Sequence, residues 1–274
     1  MKRFGCLLLA IISLLLILPS CSEAKNGDEI TIDFLDIGKA DCILIRTANV
    51  TAMIDTGEKE NEEEILTFLK IHGVEKIDYL ILSHFDKDHI GSAAAIIKSM
   101  PVMKVIESTF RSDREEYTEY HAAIDQRDIA LVQIKEDLSF KIGENIFFHV
   151  YAPKKAHYER KEDNNASLIV EMKAGAKNLL FCGDAVEERI AEFISENKMT
   201  YDLIKLPYHG RYLENYNEFL SSTKPQNCII TCSKKNMAAD ETLDILKENN
   251  TSYYLTENGN IQVKIKSDKM TISQ

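Results

Sequence analysis

Residues Ser83-His84-Phe85-Asp86-Lys87-Asp88-His89-Ile90-Gly91 place two imidazoles and two carboxylates within six positions, in the order H-x-D-x-D-H. Ahead of them, Ile77-Asp78-Tyr79-Leu80-Ile81-Leu82 is a short apolar run of strand character; behind them, Ser92-Ala93-Ala94-Ala95-Ile96-Ile97 has a small-residue helix pattern. Four potential ligands on a strand-to-helix loop can converge on one point, whereas four on a regular helix would point around it. Imidazole nitrogen with carboxylate oxygen is a donor mixture that suits zinc, manganese or iron. The competing reading is a polar loop rich in His and Asp; the spacing favours a metal site.

Outward from this loop the chain alternates strands and helices twice. Glu29–Leu35, Cys42–Arg46 and a run ending at Ile54-Asp55-Thr56-Gly57 read as strands, and Glu62–Ile71 has helical spacing with acids in its first turn and Gly73 as a stop. Asp78–Leu82 and Lys104–Glu107 follow as strands, Arg114–Gln126 as a tyrosine-bearing helix or loop, then Ala130–Ile134, Asn145–Tyr151 and Leu168–Met172 as strands. The second half gives strands at Asn178–Cys182, Leu203–Leu206, Cys228–Thr231, Tyr253–Thr256 and Ile261–Ile265, with helices at Ala185–Glu196, Glu214–Leu220 and Asp240–Glu248. Such a rhythm implies two packed sheets with helices outside.

The amino terminus bears on location. Met1-Lys2-Arg3 is basic, and Leu7 to Leu18 is a nearly unbroken apolar core of secretory-signal length. That core is short of the about 20 residues a membrane span needs. Leu18-Pro19-Ser20-Cys21 resembles a bacterial lipobox with Cys21 as the lipid-modified residue; an ordinary cleaved signal and an uncleaved anchor are the alternatives. Residues 1–20 then form a lipoprotein signal, 21–28 a polar tether and 29–274 one α/β domain. The expected location is the extracytoplasmic face of the cell membrane, with the lipid anchor as the membrane contact.

The net charge is −11, and removal of residues 1–20 takes away Lys2 and Arg3 and no acid, leaving −13. Strong non-specific binding to duplex DNA is therefore not expected, because phosphate contacts need a basic surface. Cys42, Cys182, Cys228 and Cys232 each lie in an apolar run with no C-x-x-C spacing, which reads as buried free thiols, with a disulfide as the alternative that an exported location permits.

Three further motifs sit at strand ends. Phe181-Cys182-Gly183-Asp184 ends a strand in Gly-Asp, where a carboxylate can bridge metals and the glycine allows close backbone approach. Leu206-Pro207-Tyr208-His209-Gly210-Arg211 places a histidine just past another strand, and the turns Leu35-Asp36-Ile37-Gly38-Lys39-Ala40-Asp41 and Ile54-Asp55-Thr56-Gly57 carry aspartates. Singly each is a common turn; their order after H-x-D-x-D-H is informative.

Together with Asn164-Asn165-Ala166-Ser167-Leu168, these segments resemble, in collinear order, a metallo-β-lactamase-fold hydrolase. The branch is similar to the soluble domain of ComEC/Rec2-type competence DNA-uptake proteins. The resemblance implies an αββα four-layer sandwich, two mixed sheets flanked by helices, with two divalent metal ions (zinc or manganese) at one edge. It implies His84 and Asp86 on one metal, Asp88 and His89 on the other, Asp184 bridging them, and His209 completing the second site. The family's histidine for the first metal falls in the Asp163–Ser167 loop, which has none; Asn165, Asp163 or water fills that position. His149 reads as a strand residue. Tyr208 stands where the branch carries the first of two paired histidines, and Ser92 where a second glycine is common.

The implied chemistry is hydrolysis by a hydroxide generated on the two metals. Asp88, Asp184 and His209 are the catalytic candidates: Asp88 to orient the nucleophile if it does not bind metal, Asp184 to bridge, and His209 or Tyr208 to serve the leaving oxygen. Arg211 and Asn165 are the candidate substrate contacts, Arg211 by gripping a phosphate. The expected substrate is a phosphodiester, either small-molecule, envelope or nucleic-acid. The alternatives are amide or ester (lactam-type) hydrolysis, and a non-catalytic, lipid-anchored binding protein with a degenerate site. The 108–127 stretch is either a substrate-facing element or a plain surface helix.

Overall fold

The computed structural model describes residues 29–143 and 145–274. The expected signal (1–20), Cys21 and the tether (21–28) lie outside the described residues.

The chain lays down β1 (Ile30–Phe34), β2 (Ile43–Arg46), β3 (Thr51–Ile54), β4 (Tyr79–Ile81), β5 (Lys104–Ser108) and β6 (Ala130–Ile134) in one sheet. A second sheet takes β7 (Leu138–Ile142), β8 (Ile146–Tyr151), β9 (Ile169–Ala174), β10 (Lys177–Phe181), β11 (Leu203–Lys205), β12 (Asn227–Ile230) and β13 (Ser252–Leu255). β14 (Ile261–Lys266) and β15 (Lys269–Ser273) return to the first. The spatial orders are β15-β14-β1-β2-β3-β4-β5-β6 and β13-β12-β11-β10-β9-β8-β7. Pairing is antiparallel from β15 to β3 and from β10 to β7, and parallel from β3 to β6 and from β10 to β13.

The helices are α1 (Glu62–Ile71), α2 (Lys87–Ile90), α3 (Ala93–Ser99), α4 (Glu115–Arg127), α5 (Glu162–Asn165), α6 (Glu187–Glu196), α7 (Tyr216–Thr223) and α8 (Asp240–Glu248). Strand residues alternate between cores. Ile43, Ile45, Ile54 and Ile81 meet Phe148, Val170, Phe181 and Ile229 between the sheets. Their neighbours Leu44, Met53 and Leu80 face Ile65, Ile97 and Tyr120 of α1, α3 and α4. On the far side, Leu180, Ile204 and Cys228 face Phe193, Phe219 and Leu246 of α6, α7 and α8. Burial on both faces is why the central strands read as continuous apolar runs. Each Ile, Leu or Phe so buried contributes about 1.5–3 kcal/mol. The layers are α, β, β, α, as the resemblance implied.

Two strands are absent from the sequence reading, β7 and β15, and both lie at sheet edges. Each has only one face toward the protein, so Leu138-Ser139-Phe140-Lys141-Ile142 and Lys269-Met270-Thr271-Ile272-Ser273 carry about as many polar as apolar residues. The 108–127 stretch resolves into α4, which buries Tyr117, Tyr120, Ala123 and Ile124 at helical spacing. Cys42, Cys182, Cys228 and Cys232 are buried free thiols. Among the described residues, no helix is long and apolar enough to cross a membrane.

Candidate metal centre

The site assembles at the carboxyl ends of the parallel strands, where open α/β sheets gather their chemistry because the following loops diverge there. Asp55 follows β3, Ser83 and His84 follow β4, Asp184 follows β10, His209 follows β11 and Thr231 follows β12. Asp88 and His89 stand on α2, the single turn that continues the loop after β4. The backbone N–H of Leu168 donates to Ser83 O at 2.8 Å, tying the two sheets together beside the site. Gly183 permits this approach, since a Cβ there would stand 2.9 Å from the Ser83 side chain.

Asp88, His89, Asp184 and His209 are buried and bring one ligand atom each within 4.8 Å of the others. His89 Nε2 lies 3.3 Å and His209 Nε2 3.2 Å from Asp184 Oδ1, and His209 Nε2 is 3.5 Å from Asp88 Oδ2. Each imidazole is held from behind. His89 Nδ1 donates to Asp55 Oδ2 at 2.8 Å and His209 Nδ1 to Thr231 O at 2.9 Å. His84 Nδ1 meets Ser83 Oγ at 3.1 Å, whose own proton goes to Asp55 Oδ2 at 2.7 Å. These acceptors assign the proton to Nδ1 in all three rings and leave each Nε2 as a lone pair.

The Nε2 atoms of His84, His89 and His209 and the Oδ1 of Asp184 are buried without a hydrogen-bond partner among the described residues. Buried lone pairs facing one another are unfavourable unless a cation lies between them. A proton is one such cation. Burial alone would depress the His89 imidazole, but Asp184 and Asp55 outweigh it and hold it well above the ordinary histidine value. Burial likewise opposes His209, and Asp184 and Asp88 raise it. Asp184 is held well below the carboxylate range because His209 and His89 overcome its desolvation. A divalent ion is the other cation that fits: two imidazoles oriented by hydrogen bonds, with two carboxylates, form a donor set of the right type and number.

A second cluster, Asp41, Asp55 and His89, is already compensated. The buried Lys205 ammonium pairs with Asp41 and donates to Gly183 O at 3.0 Å, and Thr231 Oγ1 donates to Asp41 Oδ1 at 2.5 Å. On the solvent side, Lys39 Nζ lies 2.5 Å from Asp88 Oδ2 and Arg114 Nη2 2.5 Å from Asp86 Oδ1. A groove of about 410 Å³ runs past these groups, lined by Lys39, Lys87, Arg114 and Lys235 among others.

The sequence profile of the metallo-beta-lactamase superfamily matches residues 35–227, most of the chain and nearly all of this site. The chain belongs to the metallo-beta-lactamase superfamily. Among characterised relatives it is 28% identical over 287 aligned residues to ComE operon protein 3 of Bacillus subtilis, covering 96% of this chain and 36% of that protein. It is 24% identical to Recombination protein 2 of Haemophilus influenzae, covering 89% of this chain and 30% of that protein. The chain thus spans about a third of the length of these relatives. Two solved structures share the fold. Igni18, a metallo hydrolase from Ignicoccus hospitalis, superposes with TM-score 0.54 at 12% identity, covering 90% of this chain and 99% of that one. CmlA, a diiron β-hydroxylase from Streptomyces venezuelae, gives TM-score 0.56 at 12% identity, covering 88% of this chain and 54% of that one.

Within this metallo-beta-lactamase domain the expected residues separate. Asp88, His89, Asp184 and His209 come together, whereas His84 and Asp86 join no group of three or more ligating side chains among the described residues. Asn165 requires correction as a substrate contact. Its Nδ2 donates to Arg160 O and its Oδ1 accepts from Arg189 N, so the buried amide is spent on the backbone. Its neighbour Asn164 faces the site instead, with Nδ2 3.5 Å from Asp184 Oδ2. His149 is engaged by Ser139 and Asp137 at the surface. Arg211 is exposed and lies over the Tyr208 ring at 5.3 Å, with Lys161 over the same ring at 4.3 Å. Sequence reasoning assigned no role to Asp41, Asp55, Lys205 or Thr231. A lone lysine in the apolar run Leu203-Ile204-Lys205-Leu206 was the available signal for one of them.

Proposed function

We propose that this chain is an exported, membrane-tethered, metal-dependent hydrolase of phosphodiester bonds. The observation that carries the hydrolase reading is the convergence of His89 Nε2, His209 Nε2 and Asp184 Oδ1, each buried and unpartnered, on one point. Asp88, His89, Asp184 and His209 would hold a divalent ion there. Such an ion supplies Lewis acidity and lowers the pKa of water to about 7.

The protein's own groups do the rest. Asp55 and Thr231 fix His89 and His209 in the ligating tautomer, so no reorientation is needed when the ion arrives. Asp88 belongs to the donor set and also lines the groove, which makes its carboxylate the group placed to orient an attacking water. His209 spends Nδ1 on Thr231 and aims Nε2 at Asp184, so it acts as a ligand and leaves the leaving-group proton to other donors.

The groove sets four cations, Lys39, Lys87, Arg114 and Lys235, against three acids, Glu58, Asp86 and Asp88, and an ion held by Asp88 would add to that small positive excess in favour of an anionic substrate. Arg211, stacked on Tyr208 beside His209, adds a further cation for a phosphate. The substrate is accordingly a small-molecule, envelope or single nucleic-acid phosphodiester, not a long duplex held by charge. Export and lipid tethering rest on the Leu7–Cys21 sequence and its lipobox.

The test uses the full chain in mild detergent, loaded with zinc or manganese, and its Asp184→Asn variant. The reading expects turnover of bis-p-nitrophenyl phosphate that falls by about 10²–10³-fold in the variant. Turnover of a chromogenic lactam or ester alone would move the assignment to amide or ester chemistry. Retained metal with no turnover of any of them would make this a binding protein.

A further inference from the structure

The four-donor group accounts for only one side of the H-x-D-x-D-H motif. His84 and Asp86 remain, 3.6 Å apart through Nε2 and Oδ2, and no third ligating side chain joins them among the described residues. What reaches Asp86 is a cation. The guanidinium of Arg114, at the start of α4, lies 2.5 Å from Asp86 Oδ1 and 3.4 Å from Asp163 Oδ2.

A second observation points the same way. The two oxygens of Asp184 face different partners. Its Oδ1 faces His89 and His209, but its Oδ2 faces the Asn164 side-chain amide at 3.5 Å. Asn164 and Asp163 both belong to α5, so one short helix supplies the amide opposite Asp184 and an anchor for Arg114.

We infer that Arg114 takes the place of one of two divalent ions, so that this chain holds a single ion between Asp88, His89, Asp184 and His209. The inference rests on the metal-hydrolase reading above. Charge agrees with it: Arg114 already sets a positive charge against Asp86, as Lys39 does against Asp88. An arginine does not give up its proton in a protein, so a second ion must displace it bodily from Asp86. His84 Nε2 then faces Asp86 Oδ2 at 3.6 Å and holds no ion.

The test is metal stoichiometry. The full chain is dialysed to equilibrium against manganese(II), assayed for metal per chain, and its paramagnetic resonance spectrum recorded. The expected result is one ion per chain with the six-line spectrum of an isolated ion, unchanged in His84→Ala. Arg114→Gln is expected to take up a second ion and show exchange coupling, and Arg114→Lys to stay at one. Two coupled ions in the unaltered chain would overturn the inference and leave the hydrolase reading intact. One ion in Arg114→Gln would overturn it too, because Arg114 would then not be what excludes the second. No ion at all would overturn both. The His84→Ala stoichiometry keeps the inference open to refutation should Arg114→Gln fail to fold: a fall from two ions to one would contradict it.

Discussion

The Lys205 ammonium lies 3.9 Å from Asp184 Oδ1 and is ion-paired with Asp41, all three side chains being buried. Burial pushes the Lys205 amine down and the Asp41 carboxyl up, but each is overruled by its partner, so Lys205 is raised and Asp41 lowered. Removing one member leaves the other as an uncompensated buried charge. Asp41→Asn should therefore cost about 3–5 kcal/mol in urea unfolding, and the Asp41→Asn/Lys205→Met double variant should recover most of it. A single-variant loss below about 1 kcal/mol would show the pair to be dispensable. The lowered Asp41 contributes stability above its unfolded pKa of about 3.9, lost as pH falls through the folded value. The raised Lys205 contributes below about 10.4, lost as pH rises beyond it.

Asp55 governs His89 without facing the metal point. It sits at a left-handed φ of 58° and accepts hydrogen bonds from Ser83 N–H, Ser83 Oγ–H and His89 Nδ1–H. Such a conformation in a non-glycine residue persists where its contacts over-determine it. Asp55→Ala should weaken metal affinity by about 10–100-fold in a chelator competition while every ligand stays in place. Undiminished affinity would mean that His89 is oriented by packing alone.

What the sequence could and could not reveal follows from how far each signal reaches along the chain. The central strands were legible because both their faces are buried, as in Ile43-Leu44-Ile45, and α1 and α8 because their apolar residues recur at helical spacing. β7 and β15 were not, since an edge strand has little to bury. At the site, the donors on α2 and at the strand ends sit in short recognisable motifs. Lys39 against Asp88, Arg114 against Asp86 and Lys205 against Asp41 are pairings over long sequence separations, set by the sandwich itself. Asn165 misled for a related reason: only the turn of α5 decides that its neighbour faces the cleft.

The turn that presents His209 is strained. Tyr208, His209 and Gly210 adopt left-handed φ values of 52°, 52° and 71° in succession, which tips the imidazole from β11 toward Asp184. A Cβ at position 210 would meet Ile230 Cγ2 at 2.8 Å and Ala238 Cβ at 3.1 Å. Gly210→Ala should cost about 1–3 kcal/mol and weaken metal binding with it, since the turn must shift and carry His209 along. Loss of stability with metal affinity intact would detach the turn's strain from the site.

Metal and protons compete for the same lone pairs. In the metal-free site His89 and His209 are raised above the ordinary histidine value, burial opposing and the neighbouring carboxylates prevailing. Their protons stabilise the metal-free fold below the unfolded histidine pKa of about 6.5, and that contribution is lost as pH rises through the higher folded values. An ion entering between His89, His209 and Asp184 must expel those protons, so affinity should rise with pH across neutrality. Calorimetric titration of manganese(II) in buffers of different ionisation enthalpy should show protons released on binding near pH 7. Thermal unfolding should show the metal-loaded protein gaining on the metal-free one as pH increases. Uptake without proton release would place the ion somewhere other than between these two histidines.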